Sequence, residues 1–509
     1  MSVATFISRV LGFLRDVIIA FYLGATGFSD AFYVSFRIPN LLREIFAEGS
    51  MSSAFIPVIS EYNVKEGREG AKRLVRVIFT FLLVLVGGVT ILGIVFTPQI
   101  VAVIAPGFLK DPEKFSLTVS LTRVMFPFLL FMSLASLVMG ALNTRGVFFI
   151  PTLAPALLNV VMVATVVLLV PMMTPMMAAA VGVTLGGFVQ YAFQIPSFFK
   201  AGFDFRIEPR FGHPGLKRAL VLVLPATVAM GVSQINIVVS NVLASFLPTG
   251  SITYLFYATR LIHFPIGIFG VAMGLAVLPT LSEHAIKKDF VSLRQDFSFA
   301  LRVLFFITLP AMAGLIALRE PIVSALFMRG KFDWAATVAT ADTLLFYSIG
   351  IWAMVGVRVL NASFYSMQDT RLPMKSAIIS LTGNIVFSLV LIGPLQYMGL
   401  ALANSLASML NFSILFYALR KRLRRLEGRR IFASFFKSMV GCLALGVVGF
   451  FISRMGLWSL PGMAPGKALW LAAGIIFSFG AYLLVCYLLK SEELGYLFKF
   501  IKNRMERKT

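Results

Sequence analysis

The chain has 509 residues, 59% of them hydrophobic and only 13% charged, with a mean hydropathy of +0.90. Soluble domains average roughly 45–50% apolar, so a set of soluble domains is excluded and a polytopic membrane protein is indicated. The excess of 45 Lys and Arg over 22 Asp and Glu, +23 in all, would suggest nucleic acid in a soluble chain; here the basic residues sit mostly in short loops between apolar runs, read as topology signals, and no nucleic-acid partner is expected.

The first apolar run, 3–24, carries Arg9, Arg15 and Asp16 and lacks a short apolar core ending in a small-residue cleavage site. It reads as a first helix rather than a signal peptide. The second, 29–62, carries Asp30, Arg37, Arg43, Glu44 and Glu48. Runs at 73–97, 116–142, 148–170 and 175–199 complete an N-terminal lobe expected over 1–200. Those at 216–247, 251–283, 295–318, 336–366, 372–392 and 399–420 fill a second lobe over 201–424, and 432–453 and 467–489 with a basic tail fill 425–509. The expected fold is an all-α polytopic membrane protein of about 14 transmembrane helices. Two six-helix lobes are related by a pseudo-two-fold along the membrane normal, with two C-terminal helices added. Cys442 and Cys486, both inside late spans, read as buried free thiols without disulfide or metal spacing, and no metal or cofactor is expected.

An even number of spans puts both termini on one side. The loops of that side hold Lys65, Arg68, Lys72, Arg73 and Arg76, then Lys200, Arg206, Arg210, Lys217 and Arg218, then the stretch from Arg420 to Arg430. The positive-inside rule makes that side cytosolic. An internal repeat supports the two lobes. Met51-Ser-Ser-Ala54-Phe-Ile-Pro57-Val-Ile-Ser60-Glu61 ends the second span, and Met273-Gly-Leu-Ala276-Val-Leu-Pro279-Thr-Leu-Ser282-Glu283 ends the eighth, with Met, Ala, Pro, Ser and Glu at the same spacing. Both Ser-Glu pairs lead into basic loops, so the halves share orientation, an arrangement of transporters with a site between repeats.

Ionisable residues inside spans cost at least ~2.5–3.5 kcal/mol each at a lipid-facing helix centre and so face protein or water. Asp30, Arg37 and Glu44 are seven apart and share one stripe of a continuous helix, while Arg43 points elsewhere. Mutual neutralisation, Asp30 with Arg37 and Asp16 with Arg15 or Arg43, is the simplest account of any single pair. It does not cover the set: Arg9, Arg15, Arg37, Arg43, Arg260 and Arg358 stand against Asp16, Asp30, Glu44 and Glu48, leaving about two positive charges uncompensated. An anionic visitor follows, and arginine suits phosphate because its planar fork binds bidentately and stays charged at any depth. His263, one turn after Arg260, is either a titrating group or a neutral hydrogen-bonded one; Asn159 is an in-span polar residue suited to an interhelical hydrogen bond or a ligand contact. The available His, Asp and Glu form no paired-acid or nucleophile-base cluster, so an enzyme is not expected.

Three stretches carry a family likeness: Ser8-Arg9-Val-Leu-Gly-Phe-Leu-Arg15-Asp16, Asp30-Ala-Phe, and Phe36-Arg37-Ile-Pro-Asn-Leu-Leu-Arg43-Glu-Ile-Phe-Ala-Glu48-Gly. Together they closely resemble the MurJ (MviN) family of lipid II flippases, of the multidrug/oligosaccharidyl-lipid/polysaccharide exporter superfamily. Phe364-Tyr-Ser-Met-Gln-Asp369-Thr resembles that family's connection between helices ten and eleven. The resemblance implies translocation of the undecaprenyl-pyrophosphate-linked peptidoglycan precursor from the inner to the outer leaflet of the bacterial cytoplasmic membrane. It places the family's cavity arginines at Arg9, Arg15, Arg43 and Arg260, with acidic companions at Asp16, Asp30 and Glu48 and the tenth helix's basic residue at Arg358; Arg37, His263 and Asn159, polar residues inside spans, complete the candidate substrate-binding set. It further implies lipid II and the bilayer as partners, cell-wall synthesis enzymes as further partners, and a monomer. His263 stands where some relatives carry a glutamate, and spans 216–247 and 372–392 contain no Asp or Glu of the kind found in sodium-coupled members. The alternative is an exporter of another polyprenyl-linked oligosaccharide or a drug antiporter of the same superfamily.

Overall fold

The computed structural model describes residues 2–49, 54–424, 426–462 and 465–496. Every regular element among them is helical, and the chain folds as two compact units, Met1–Thr253 and Tyr254–Thr509. Among the described residues, nine helical segments are long and apolar enough to cross a membrane. The two charge-bearing helices at the N-terminal end fall outside that set for simple reasons, whereas Arg358 lies within one of the nine, Trp334–Ser366. α1 (Ser2–Leu23) contains Arg9, Arg15 and Asp16, and α2 (Gly27–Arg43) is only 17 residues long.

In the first unit, α2 begins with a capping box in which Thr26 and Ser29 satisfy each other's backbone donors. It runs through Pro39 and passes into a π-helical turn, Glu44–Gly49. Then follow α3 (Ile56–Lys65), α4 (Gly67–Val95), α5 (Thr97–Ile104), α6 (Pro112–Met125), α7 (Pro127–Thr144), α8 (Phe149–Leu169), α9 (Pro175–Ala192), α10 (Ile195–Lys200) and α11 (Pro214–Ser245). The expected run at 116–142 lies in one membrane-crossing stretch, Pro112–Thr144, in which Pro127, without an N–H to donate, divides α6 from α7 at Phe126. α8 and α9 approach closely through Gly182 and Gly186, whose missing Cβ atoms would lie 3.3 Å from Met162 Cα and 3.1 Å from the Leu158 carbonyl. The core at one end joins α3, α4 and α7 through Val58, Ile59, Leu74, Ile78, Leu137 and Val138. Beside it the loop after α10 is strapped down: Phe198 stacks on Phe205 at 4.6 Å, and Asp204 pairs with Arg76 and, at 3.3 Å, with Lys72.

The second unit takes up the rest of α12 (Ser251–Pro265), a second π turn at Ile266–Gly270, α13 (Val271–Ile286), α14 (Phe290–Ala317), α15 (Arg319–Phe327), α16 (Trp334–Ser348) and α17 (Ile351–Ser366). The runs expected at 372–392 and 399–420 are two helices that fold back on each other within Arg371–Leu423 (α18), joined by a sharp turn where Gln396 leaves helical geometry at φ 49° two residues after Pro394; Ser376 meets Asn411 at 2.6 Å and Ser380 the Ala407 carbonyl at 2.7 Å across the pair. α19 (Gly428–Ser453) and α20 (Pro465–Leu488) pack on each other and on α14. Tyr482 donates its hydroxyl to the Phe306 carbonyl at 2.7 Å. Buried Arg302 holds Glu492 and Glu493 just past α20, at 2.6 and 3.3 Å.

The sequence repeat has a structural counterpart in each unit. The π turns begin at Glu44 and Ile266, 222 residues apart, and the same separation relates two i,i+4 ion pairs, Glu61 with Lys65 and Glu283 with Lys287. Residues 51–53 of the first motif lie outside the described residues.

Candidate functional site

α1 presents three of the anticipated residues at successive depths. Arg9 is exposed, whereas Asp16 is buried and accepts two hydrogen bonds from the neighbouring Arg15, from Nη2 at 2.7 Å and Nε at 3.0 Å. Adjacent positions on a helix do not normally face each other, so the long arginine side chain folds back to make this contact. Its other nitrogen, Nη1, reaches the Met162 sulfur of α8 at 3.9 Å. Asn159, also on α8, donates to the Ser8 carbonyl of α1 at 3.3 Å and to Pro155 on its own helix at 3.2 Å. It ties α8 to α1, the interhelical use anticipated for uncharged in-span polar residues.

Asp30 is 1% exposed and fully engaged. Its carboxylate accepts from Lys114 Nζ of α6 at 3.1 Å, from the Gly250 N–H at 2.7 Å, and from Thr253 through both its N–H at 3.0 Å and its hydroxyl at 2.8 Å. The partner is thus Lys114 rather than Arg37, and the four donors join α2, α6 and the start of α12 at one point. Ser29 adds a contact to Thr253 at 3.1 Å, and Ser35 donates to the Thr118 carbonyl at 2.9 Å.

Arg37 and Arg43 are both half-buried on α2. Arg43 stands at the last helical position before the π turn and donates Nε to Asn40 Oδ1 at 2.9 Å. Asn40 in turn donates to Glu44 at 3.1 Å, and Gln234 of α11 donates to the second oxygen of Glu44. This polar chain surrounds a π insertion, an irregularity often found where helices carry function. The side chain of Glu48, at the end of the same turn, lies outside the described residues.

In the second unit Arg260 and His263 are three residues apart on α12, share a face, and are both exposed. Arg358 of α17 is exposed as well and crosses the π turn. Its Cδ lies 3.0 Å from where a Cβ of Gly270 would stand, with Val355 Cγ1 at 3.2 Å. The π turn thus passes under Arg358 because position 270 has no side chain.

The structure brings together Arg15, Asp16 and Asn159 at the α1–α8 seam, and separately Arg43 and Glu44 at the π turn of α2. Sequence reasoning singled out Gln234 as an in-span polar residue suited to an interhelical hydrogen bond, the use it has toward Glu44, but missed Lys114, Gly250, Thr253 and Asn40 as site residues. For Asp30 no local signal existed, since its partners stand 84 to 223 residues away. Asn40 was findable as the residue three before Arg43 on one face. Chemically, the two units carry guanidinium groups on apolar helices, with carboxylates drawn into contacts of their own.

A family model described as "Lipid II flippase MurJ" matches residues 19–493. A protein of Vibrio cholerae named "Probable lipid II flippase MurJ" is 34% identical over 96% of this chain and 95% of its own length. One of Burkholderia cenocepacia named "Lipid II flippase MurJ" is 36% identical over 82% of each chain. A solved structure titled "Lipid II flippase MurJ, inward closed conformation" superposes with a TM-score of 0.77 at 26% identity, over 96% of this chain and 98% of the other. An inward-facing multidrug resistance MATE transporter of the MOP superfamily reaches a TM-score of 0.70 at 17% identity, over 82% of this chain and 96% of the other, a likeness of fold alone.

Proposed function

The chain belongs to the lipid II flippase MurJ family, and from that premise we propose how its residues carry the cargo. It is a multi-pass protein of the bacterial cytoplasmic membrane that translocates lipid II from the inner to the outer leaflet. It leaves the cargo chemically unchanged. An exporter of a different polyprenyl-linked sugar or a drug antiporter is the weaker reading, since the relatives compared at 34–36% identity are named lipid II flippases.

The binding reading rests on one observation: Asp30 is committed to Lys114, Gly250 and Thr253. With that carboxylate and that ammonium offsetting each other, six in-span arginines stand against Asp16, Glu44 and Glu48. An apolar span tolerates such an excess only beside an anion or water. In this reading the lipid pyrophosphate is that anion. Arg15, Arg43 and Arg260 bind it in bidentate, charge-assisted hydrogen bonds, while Arg9, Arg37, Arg358, His263 and Glu48 border its path, and Asp16 and Asn159 hold Arg15 and α1 in register. The pyrophosphate meets inward-open and outward-open states in turn, and the isoprenoid tail stays in lipid. Both termini lie in the cytosol, the lobes span 1–200 and 201–424 with residues 425–509 appended, and the protein acts as a monomer beside cell-wall synthesis enzymes.

The test is leaflet-resolved lipid II in cells depleted of the protein and complemented with wild type, Arg43→Ala or Arg260→Ala. Inner-leaflet accumulation relieved by wild type alone, with both variants normally inserted, supports the reading. Wild-type delivery by both variants overturns the arginine assignment.

A further inference from the structure

The second unit holds a pocket of about 810 Å³ where α18 ends and α19 begins, and its lining joins two chemistries. The floor is aromatic: Phe305, Trp352, Phe412 and Phe435 form a mutually contacting group with ring centroids 5.1 to 6.2 Å apart, and Phe416 stacks on Phe412 at 5.7 Å. The rim is cationic: among the described residues lining it, Arg420, Arg424, Arg429 and Arg430 stand against one carboxylate, Glu427, which lies 3.5 Å from Arg430, with Glu492 of the C-terminal segment also within electrostatic reach of Arg430. A second hollow of about 670 Å³ shares Arg424 and adds Lys288, Arg294 and Arg422.

Helix packing alone does not call for this rim. Arg429 and Arg430 occupy the first turn of α19, where the helix dipole disfavours cations. The cap residue Glu427 makes no side-chain hydrogen bond to the first-turn N–H groups, so backbone donors and guanidinium groups concentrate positive potential at one end. The connection that sets them there holds two non-glycine residues in left-handed geometry, Arg424 at φ 63° and Glu427 at φ 49°, a strain that recurs at ligand-binding places. A free phosphate would satisfy the arginines and leave the aromatic floor wet, and a neutral lipid would cover the floor and leave the arginines uncompensated.

We propose that this pocket seats an anionic glycerophospholipid, its phosphate among Arg420, Arg429 and Arg430 and an acyl chain over Phe412, Phe416 and Trp352. The chemistry is that of basic pockets between membrane helices that take lipid headgroups. The site is separate from the in-span arginines assigned to the cargo, so its failure would leave the flippase reading untouched.

Trp352 supplies the reporter. The full-length protein is placed in nanodiscs of phosphatidylcholine containing a small fraction of either brominated phosphatidylglycerol or brominated phosphatidylcholine. Quenching attributable to Trp352 is obtained by difference from a Trp352→Phe variant. The expected result is at least twofold more quenching by the anionic lipid at equal mole fraction, falling to parity in Arg420→Gln/Arg429→Gln/Arg430→Gln. Equal quenching by the two lipids in the unmodified protein overturns the proposal without recourse to any rim variant. So does a preference that survives the triple substitution, or displacement of the brominated lipid by one equivalent of a polyprenyl pyrophosphate.

Discussion

Asp30 and Arg43 are both charges inside one apolar run, yet they serve in different surroundings. Asp30 is a buried carboxylate whose ammonium partner is only 11% exposed, so removing one charge strands the other. Breaking a buried ion pair typically costs ~3–5 kcal/mol, whereas replacing both partners by apolar groups is often neutral. Asp30→Asn is therefore expected to lower the apparent Tm of the purified protein by several degrees, and Asp30→Asn/Lys114→Met to regain most of it. Thermal unfolding in a mild detergent reads both. A substitution that spares the Tm but stops export would move Asp30 from structure to cargo contact. Arg15 with Asp16 was legible because the residues are adjacent. Lys114 was not, because a lysine 84 residues on is indistinguishable in sequence from any other loop charge.

The two π turns and the strap after α10 carry information at the scale of elements. A hydrophobic run does not reveal where a helix widens by one residue, since the apolar pattern passes through Glu44–Gly49 and Ile266–Gly270 alike. The repeat in sequence begins just after each place, at Met51 and Met273, and so marks the neighbourhood of both turns but not the turns themselves. The runs at 372–392 and 399–420 were visible as separate spans and are two helices paired across a turn at Gln396, whose backbone geometry the apolar pattern does not encode. At Gly270, a methyl group would stand 3.0 Å from Arg358 Cδ and 3.2 Å from Val355, so one of them must yield by a few tenths of an ångström. Gly270→Ala is expected to cut export severalfold while expression and Tm stay near wild type, and leaflet-resolved lipid II checks it; unchanged export would detach Arg358 from the transport path.

The strap behaves differently because it titrates. Hydrogen bonding from Arg76 holds the Asp204 carboxyl well below the usual carboxylate range, outweighing the upward push of burial. A folded pKa depressed in this way gives stability that is fully present above the unfolded value of ~3.9 and lost as pH falls below it. The difference in Tm between wild type and Asp204→Asn should therefore be constant from pH 8 down to about 5. It should shrink progressively below pH 4, a trend that unfolding curves at stepped pH would display.

At the scale of the molecule, charge balance joins the loops, the arginines and the membrane. The basic loops were legible in sequence as a one-dimensional charge bias, from which the proposed orientation follows. The packing of the units was not, because it depends on small-residue contacts such as Gly182 and Gly186 against α8, which composition does not order. The energetics of transport depend on the same charges. An anionic pyrophosphate moving outward across an interior-negative membrane gains ~2.3 kcal/mol per elementary charge per 100 mV. In the proposed reading the arginines that bind the pyrophosphate, once emptied, are drawn back toward the negative interior by the same field. On that reading both halves of the cycle run downhill electrically, and the prediction is transport driven by the potential without an accompanying cation. The spans 216–247 and 372–392, which hold no Asp or Glu, offer a sodium ion no carboxylate there. In proteoliposomes with a valinomycin-set potassium gradient, export toward the positive side should accelerate severalfold between 0 and 100 mV. Reversing the sign should slow it below the zero-potential rate, and an imposed sodium gradient at fixed potential should change nothing. A rate that follows sodium and ignores the potential would reassign the driving force to a coupling ion and require acidic ligands elsewhere in the chain.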